Sequence, residues 1–188
     1  YQIREEMIST DKLTFDEAVA KSGKFMADIS FVEELKRIYS DENEKKYYGN
    51  PVHYKISASN MESAFEIVSL LAQALKSNNR LVGSRINRVY EIKKGCYDEP
   101  DFKNMFEKAQ GNIVLFDLSG SAEMHNNYAS EYEEVIEYMN KLISKNHVKT
   151  LCIFVENTNH PGFASNFLVK AAEEIDIIEL KEGCGNRE

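Results

Sequence analysis

Asp117 is the residue best placed to do chemistry, because it closes the apolar run Ile113-Val114-Leu115-Phe116 and so stands at the end of a strand. A carboxylate there either ligates a cation or accepts hydrogen bonds from the loop that follows. Asn157 follows the run Leu151 to Val155 after Glu156, where an amide senses a ligand or closes a turn. Other reactive side chains are scattered. Cys96, Cys152 and Cys184 lack C-x-x-C spacing, which points to reduced thiols and a cytoplasmic protein, with Cys152 buried and inert inside its apolar run. His53, His125, His147 and His160 include no i, i+4 pair for a metal, so each reads as a surface or hydrogen-bonded ring. Glu131, Glu133, Glu134 and Glu137 read as a solvated helix face. No Ser or Cys is placed beside a His, so no catalytic residue and no metal ligand is nominated.

Side chains at strand ends need a sheet to line them up. Residues 11 to 39 mix Phe15, Val19, Phe25, Phe31, Leu35 and Ile38 with charges, which predicts one or two amphipathic helices, the second capped by Ser30. The polar run from Ser40 to Asn50 predicts a solvated linker, and Pro51 an extended approach to a strand at Val52 to Ser57. A helix is expected from about Ala64 to Ser77 with Ile67, Val68, Leu70, Leu71, Ala74 and Leu75 on its apolar face, stopped by Asn78-Asn79. A strand near Arg88 to Lys93, a turn at Gly95 to Pro100, and a helix from Asp101 to Gln110 closed by a left-handed Gly111 come next. The run at Ile113 to Phe116 predicts a strand covered on both faces. After a loop at Ser119 to Asn127, the pattern gives a helix at Ala129 to Lys145, a strand at Thr150 to Val155, a helix at Phe163 to Glu174 and a strand at Ile175 to Leu180 ended by Gly183. Five strands alternating with helices predict an α/β three-layer sandwich with a five-stranded parallel sheet. Ligands of such sheets sit beyond the carboxyl ends of the strands, which directs the search to Ser57–Ser63, Lys93–Asp98, Asp117–Ser121, Glu156–His160 and Lys181–Gly183.

Composition narrows the partners. The 188 residues are the size of one domain, and 43% apolar with 29% charged is ordinary for a folded protein. A formal charge of -8 argues against nucleic acid, and no apolar run reaches bilayer length, so no membrane partner is expected. The amino terminus, Tyr-Gln-Ile-Arg-Glu-Glu, and the end, Gly-Cys-Gly-Asn-Arg-Glu, read as the edges of a piece cut from a longer protein.

Across residues 25 to 183 the chain resembles AAA+ ATPases of the group that includes the stage V sporulation protein K and the red-type rubisco activases. The resemblance rests on Asn50-Pro51-Val52-His53-Tyr54 and the strand, loop and helix after it, on Leu70 to Leu75, and on Arg88-Val89-Tyr90-Glu91-Ile92. It implies a P-loop NTPase-like sheet of strand order 5-1-4-3-2. It also divides the chain into a helical lead-in and linker at 1–50, a core at 51–183 without the family's helical lid, and a tail at 184–188.

The same resemblance exposes what is altered. A phosphate loop reads G-x-x-x-x-G-K-S/T, because glycines let backbone N–H groups wrap phosphates, Lys reaches the outer phosphates and the hydroxyl holds magnesium. Aligning the helices places this window on Ala58-Ser59-Asn60-Met61-Glu62-Ser63-Ala64-Phe65, where all four diagnostic residues are replaced. The strand that should end Asp-Glu ends Asp117-Leu118, and His160 to Phe167 resembles N-P-G-L-x-S-R-F with Asn166 in place of the arginine that reaches a neighbouring subunit. If a nucleotide binds, the cleft is formed by Ala58, Ser59, Asn60, Ser63, Asp117 and Asn157. These losses lead to the expectation of a non-catalytic AAA+-like module, cofactor-free, acting in assembly or regulation with other AAA+ modules or subunits, and homo-oligomeric in the full protein. One alternative is an ATPase that binds ATP and magnesium through an atypical site. The other is a phospho-receiver-like signalling domain, because Asp117, Thr158 and Lys181 end or follow successive strands, although such domains need an acidic pair where this chain has Ser57-Ala58-Ser59.

Overall fold

The structure, a computed structural model, describes residues 2–24, 28–40, 52–90, 99–119, 137, 140–145, 149–159 and 175–183. Several expectations lie outside these residues: Pro51, the turn at 95–98, most of the loop at 119–127, the first half of the helix at 129–145, the helix at 163–174, the His160–Phe167 segment with Asn166, Cys96, Cys184, and the linker and tail.

The sheet is built from β1 (Gln2–Met7), β2 (His53–Ala58), β3 (Arg85–Tyr90), β4 (Ile113–Asp117), β5 (Leu151–Asn157) and β6 (Ile177–Lys181). Between them run helices α1 (Phe15–Lys24), α2 (Ile29–Ile38), α3 (Met61–Ser77) and α4 (Glu99–Lys108), and residues 140–145 are also helical. The order is β1-β3-β4-β5-β2-β6. Count and order thus differ from the expected five-stranded 5-1-4-3-2 sheet, because β1 adds a sixth strand, antiparallel, with Gln2 opposite Tyr90 and Met7 opposite Arg85. The parallel members taken alone run β6-β2-β5-β4-β3.

β1 escapes sequence reading for a physical reason. It is an edge strand held by backbone pairing and by charges such as Arg85–Glu5 and Arg88–Glu6, both at 3.9 Å, so it needs no apolar period. The helical lead-in expected at 1–50 therefore also carries a strand, and Ile8, Leu13, Ala18, Phe31, Leu35 and Ile38 pack into the same core as β2 and α3.

Both faces of the sheet are covered. On one, Ile56, Ile113, Leu115, Ile153 and Val155 meet the stripe of α3, which buries Ile67, Val68, Leu71 and Leu75 as its periodicity requires. On the other, the ring of Phe106 from α4 lies 6.1 Å from Phe116, which stacks on Phe154 at 5.2 Å. Cys152 is fully buried, and burial pushes its thiol up to about 12, which removes the thiolate that would react. The buried His53 ring accepts the Cys152 backbone N–H at Nδ1, 2.9 Å, so that nitrogen carries no proton.

Local signals set most boundaries. Asn79 at φ 57° and Gly111 at φ 82° take the left-handed conformation that stops α3 and the α4 segment. The cap of α2 needs correcting: Asp28, not Ser30, caps it and accepts the Ser30 N–H at 2.8 Å, since the helix starts one residue before Ser30 and a carboxylate is the stronger acceptor. The Asp28 N–H also binds the Lys181 carbonyl at 3.0 Å, which fixes α2 to the end of β6.

Candidate functional site

The carboxyl ends of β2, β5 and β4 lie side by side, with Ala58 opposite Asn157 and Asp117 opposite Val155. Ala58, Asn157 and Asp117 are thereby gathered along one crest, and Ser59, Asn60 and Ser63 follow directly from β2. What these residues do there is set by partners from the chain itself.

Only Ser59 and Asn60 separate β2 from α3, which begins at Met61 and not near Ala64. Asn60, extended at φ -100° and ψ 111°, is the N-cap, and its side chain accepts the Ser63 N–H at 3.3 Å. Glu62 in the first turn adds the negative charge that a helix start favours. The helix therefore begins a turn earlier than a wrapped loop would allow, and the Ser63 N–H is spent on the cap. The Ser59 N–H and hydroxyl are spent as well, on Glu182 Oε1 at 3.2 and 2.8 Å. A carboxylate of the chain thus sits where the strand-to-helix turn would face an external anion.

Asp117 is 6% exposed and holds no open acceptor for a cation. Its Oδ2 accepts Arg88 Nε at 3.1 Å and Nη2 at 2.6 Å, and its Oδ1 accepts the Ser119 N–H at 3.0 Å and the Ser119 hydroxyl at 2.5 Å. Arg88 also covers the Phe65 ring, Cζ 4.3 Å from the centroid, so guanidinium, carboxylate and ring form one closed set. Asn157 Oδ1 accepts the Asn159 N–H at 2.9 Å, closing a turn, while the Thr158 N–H binds the Ala58 carbonyl at 2.9 Å. Lys181 lies three strands from β4, about 14 Å at ~4.8 Å per step, too far to meet Asp117 as a phospho-receiver lysine must.

The residues present do not fit a magnesium triphosphate. Two residues cannot wrap a phosphate, no lysine points from Ala64, and the strand-end carboxylate is neutralised by Arg88. Among the described residues no group of three or more His, Cys, Asp or Glu could hold a metal ion, and no helix is long and apolar enough to cross a membrane.

A cavity of about 300 Å³ adjoins the same strand ends, lined by Lys55, Ser57, Ala58, Ser59, Glu156, Thr158, Glu179, Lys181 and Glu182, and it shares Ala58 and Ser59 with the residues just described. Sequence reasoning reached Glu156 and Glu182 only as members of the strand-end ranges, named Ser59 for the nucleotide cleft and Ser57, Thr158 and Lys181 for the phospho-receiver alternative, and missed Lys55 and Glu179. The signal was their spacing: Lys55 and Ser57, Glu156 and Thr158, Glu179 and Lys181 are each two apart, hence on one face of three neighbouring strands. Lys55 Nζ lies 2.6 Å from Glu156 and 3.2 Å from Glu179, and Lys181 Nζ lies 3.2 Å from Glu179.

Burial works against the charged form of Lys55, but hydrogen bonds to Glu156 and Glu179 outweigh it and its pKa is raised. For Glu179, burial is likewise outweighed by hydrogen bonds from Lys181 and Lys55, and its pKa is lowered. Lys55→Met strips Glu156 of its cation and is expected to cost about 2 kcal/mol near neutral pH. The raised Lys55 gives stability that is whole below the unfolded lysine value and lost as pH rises through its folded one. The lowered Glu179 gives stability present above the unfolded carboxylate value and lost as pH falls through its folded one. The gap between wild type and variant in urea melts should hence narrow below about pH 4 and above about pH 10.5, and a gap unchanged at pH 3 would contradict this pairing.

No protein-family model matches the chain, and no curated protein matches it significantly. Among solved structures it is similar to the DnaC helicase loader, at 11% identity over 82% of this chain and 92% of that one, with a TM-score of 0.40. At that level the likeness bears on neither the activity nor the partners of this chain.

Proposed function

We propose that this chain is a non-catalytic AAA+-like module of a larger ATPase of that family, in the group of the stage V sporulation protein K and red-type rubisco activases. It acts through assembly with other AAA+ modules or subunits, and the cleft at Ala58, Ser59, Asn60, Ser63, Asp117 and Asn157 is the remnant of a nucleotide site. The observation that carries the reading is the Glu182 carboxylate on the Ser59 N–H and hydroxyl, at the turn where a nucleotide-binding relative presents its N–H groups to phosphate. A built-in anion repels an external one and occupies its donors. The Arg88–Asp117 pair supports it, because a guanidinium on the strand-end carboxylate takes the place of a divalent cation.

The test is a calorimetric titration of the chain with ATP and magnesium, with thermal melts in parallel. No saturable heat and an unmoved melting temperature are expected. A site saturated at 100 times its Kd would add about 2.7 kcal/mol of stability, and that shift would replace this reading by the atypical-ATPase one.

A further inference from the structure

β1 stands at one end of the sheet, so one of its edges meets β3 and the other meets no strand among the described residues. We infer that this open edge pairs antiparallel with β1 of a second copy of the chain, about a two-fold axis at Glu5, joining two sheets into one. The backbone decides which residues take part. The Ile8 N–H binds the Ser84 carbonyl at 2.8 Å, and this pair continues the register that sets Gln2 opposite Tyr90 and Met7 opposite Arg85. Hydrogen-bonded pairs alternate with non-bonded ones along an antiparallel ladder, so the even-numbered residues of β1 bond to β3. The N–H and C=O groups of Ile3, Glu5 and Met7 therefore point away from the sheet. A second β1 presents the same groups, so odd-numbered residues must meet odd-numbered ones.

That restriction leaves few registers, and charge selects one of them. With the axis at Glu5, Ile3 faces Met7 of the second copy and Arg4 faces its Glu6, each pairing made twice by symmetry. Moving the axis one residue either way sets Arg4 opposite Arg4 or Glu6 opposite Glu6, and like charges directly opposite destabilise a strand pair. Charges on an edge ordinarily repel an incoming strand, but here they match in a single register. The side chains that would meet are accessible: Arg4 is 64% and Glu6 37% exposed, and the apolar Ile3 and Met7, on the other face of the strand, are 38% and 70% exposed. The one adverse contact is Glu5 against Glu5, and each has Arg85 Nη1 at 3.9 Å to offset it. The opposite edge of the sheet is less open, since the Asp28 N–H before α2 already takes the Lys181 carbonyl of β6. β1 lies two strands from β4, so the pairing uses none of the cleft and does not rest on the AAA+ reading.

A single short strand pair makes a weak interface, so sedimentation velocity of the chain should show a monomer–dimer equilibrium over about 10 μM to 1 mM. Amide hydrogen exchange should slow with rising concentration most at Ile3, Glu5 and Met7. Arg4→Glu and Glu6→Arg should each weaken dimerisation at least about fivefold, because every charge pair recurs across the axis. An equimolar mixture of the two variants should regain wild-type association as a heterodimer, since the reversed charges then face opposite ones, which damage to the monomer could not produce. Glu5→Gln should tighten the dimer about threefold or more by removing the like charges on the axis. Four results would each overturn the inference: a chain still monomeric at about 1 mM, concentration-dependent protection on β6 and not on β1, association indifferent to both charge reversals, or a mixture no more associated than either variant alone. Because ATP plays no part, the AAA+ reading stands or falls by its own titration.

Discussion

Phe116→Ala is expected to lower the stability of this chain by about 3 to 5 kcal/mol, the range for truncating a buried aromatic ring without collapse of the site. Phe116 is fully buried in the central part of the sheet and joins two other rings, stacked on Phe154 with an interplanar angle of 10° and tilted 37° to Phe106. Collapse into its volume is opposed because β4 and β5 are held in register by their backbone pairing. Against a total of about 5 to 15 kcal/mol for a domain, such a loss brings the unfolded state within reach. Urea melts should show the midpoint falling with an unchanged slope, and Phe116→Leu should cost about 1.5 kcal/mol or less because most of the volume is kept. An Ala variant within 1 kcal/mol of wild type would mean that the three-ring layer is not formed. The effect also reaches the crest, because Asp117 is the next residue on β4.

What sequence could show here follows from how far each feature reaches. Ile113 to Phe116 and Leu151 to Val155 were legible as strands because both faces of those strands are buried, so no polar residue interrupts them. The stops at Asn79 and Gly111 were legible because they need only a residue tolerant of positive φ. The start of α3 was misplaced by about three residues: Met61-Glu62-Ser63 carries no apolar period, and the cap that fixes it is a single Asn60 side chain. Contacts across the fold left at most a two-residue spacing within each strand, which does not say which strands pair. Ser59 and Glu182 are 123 residues apart, and the Lys55–Glu156–Glu179 cluster exists only once β2 lies between β5 and β6. Strand ends could be located from sequence; which charges would face each other across them could not.

Asp117→Ala, the second large effect, should cost about 2 to 4 kcal/mol, and it separates a structural carboxylate from a cation ligand. The substitution leaves the Arg88 guanidinium without the acceptor of two hydrogen bonds, and leaves the Ser119 N–H without a partner. Breaking a buried pair commonly costs about 3 to 5 kcal/mol, and the lower figure here reflects the 22% exposure of Arg88 and its residual contacts with Phe65 and Glu6. A double variant, Arg88→Met with Asp117→Leu, should recover much of the loss, since neither an uncompensated charge nor an orphaned donor group of Arg88 then remains. Magnesium supplies the decisive arm. If Asp117 serves the fold, as its four bonds require, millimolar magnesium moves the melting temperature of wild type and Asp117→Ala equally or not at all. A magnesium-dependent rise in wild type that vanishes in Asp117→Ala would show that Arg88 is displaced by a cation, and Asp117 would then have to be read as a ligand whose arginine is a removable stand-in.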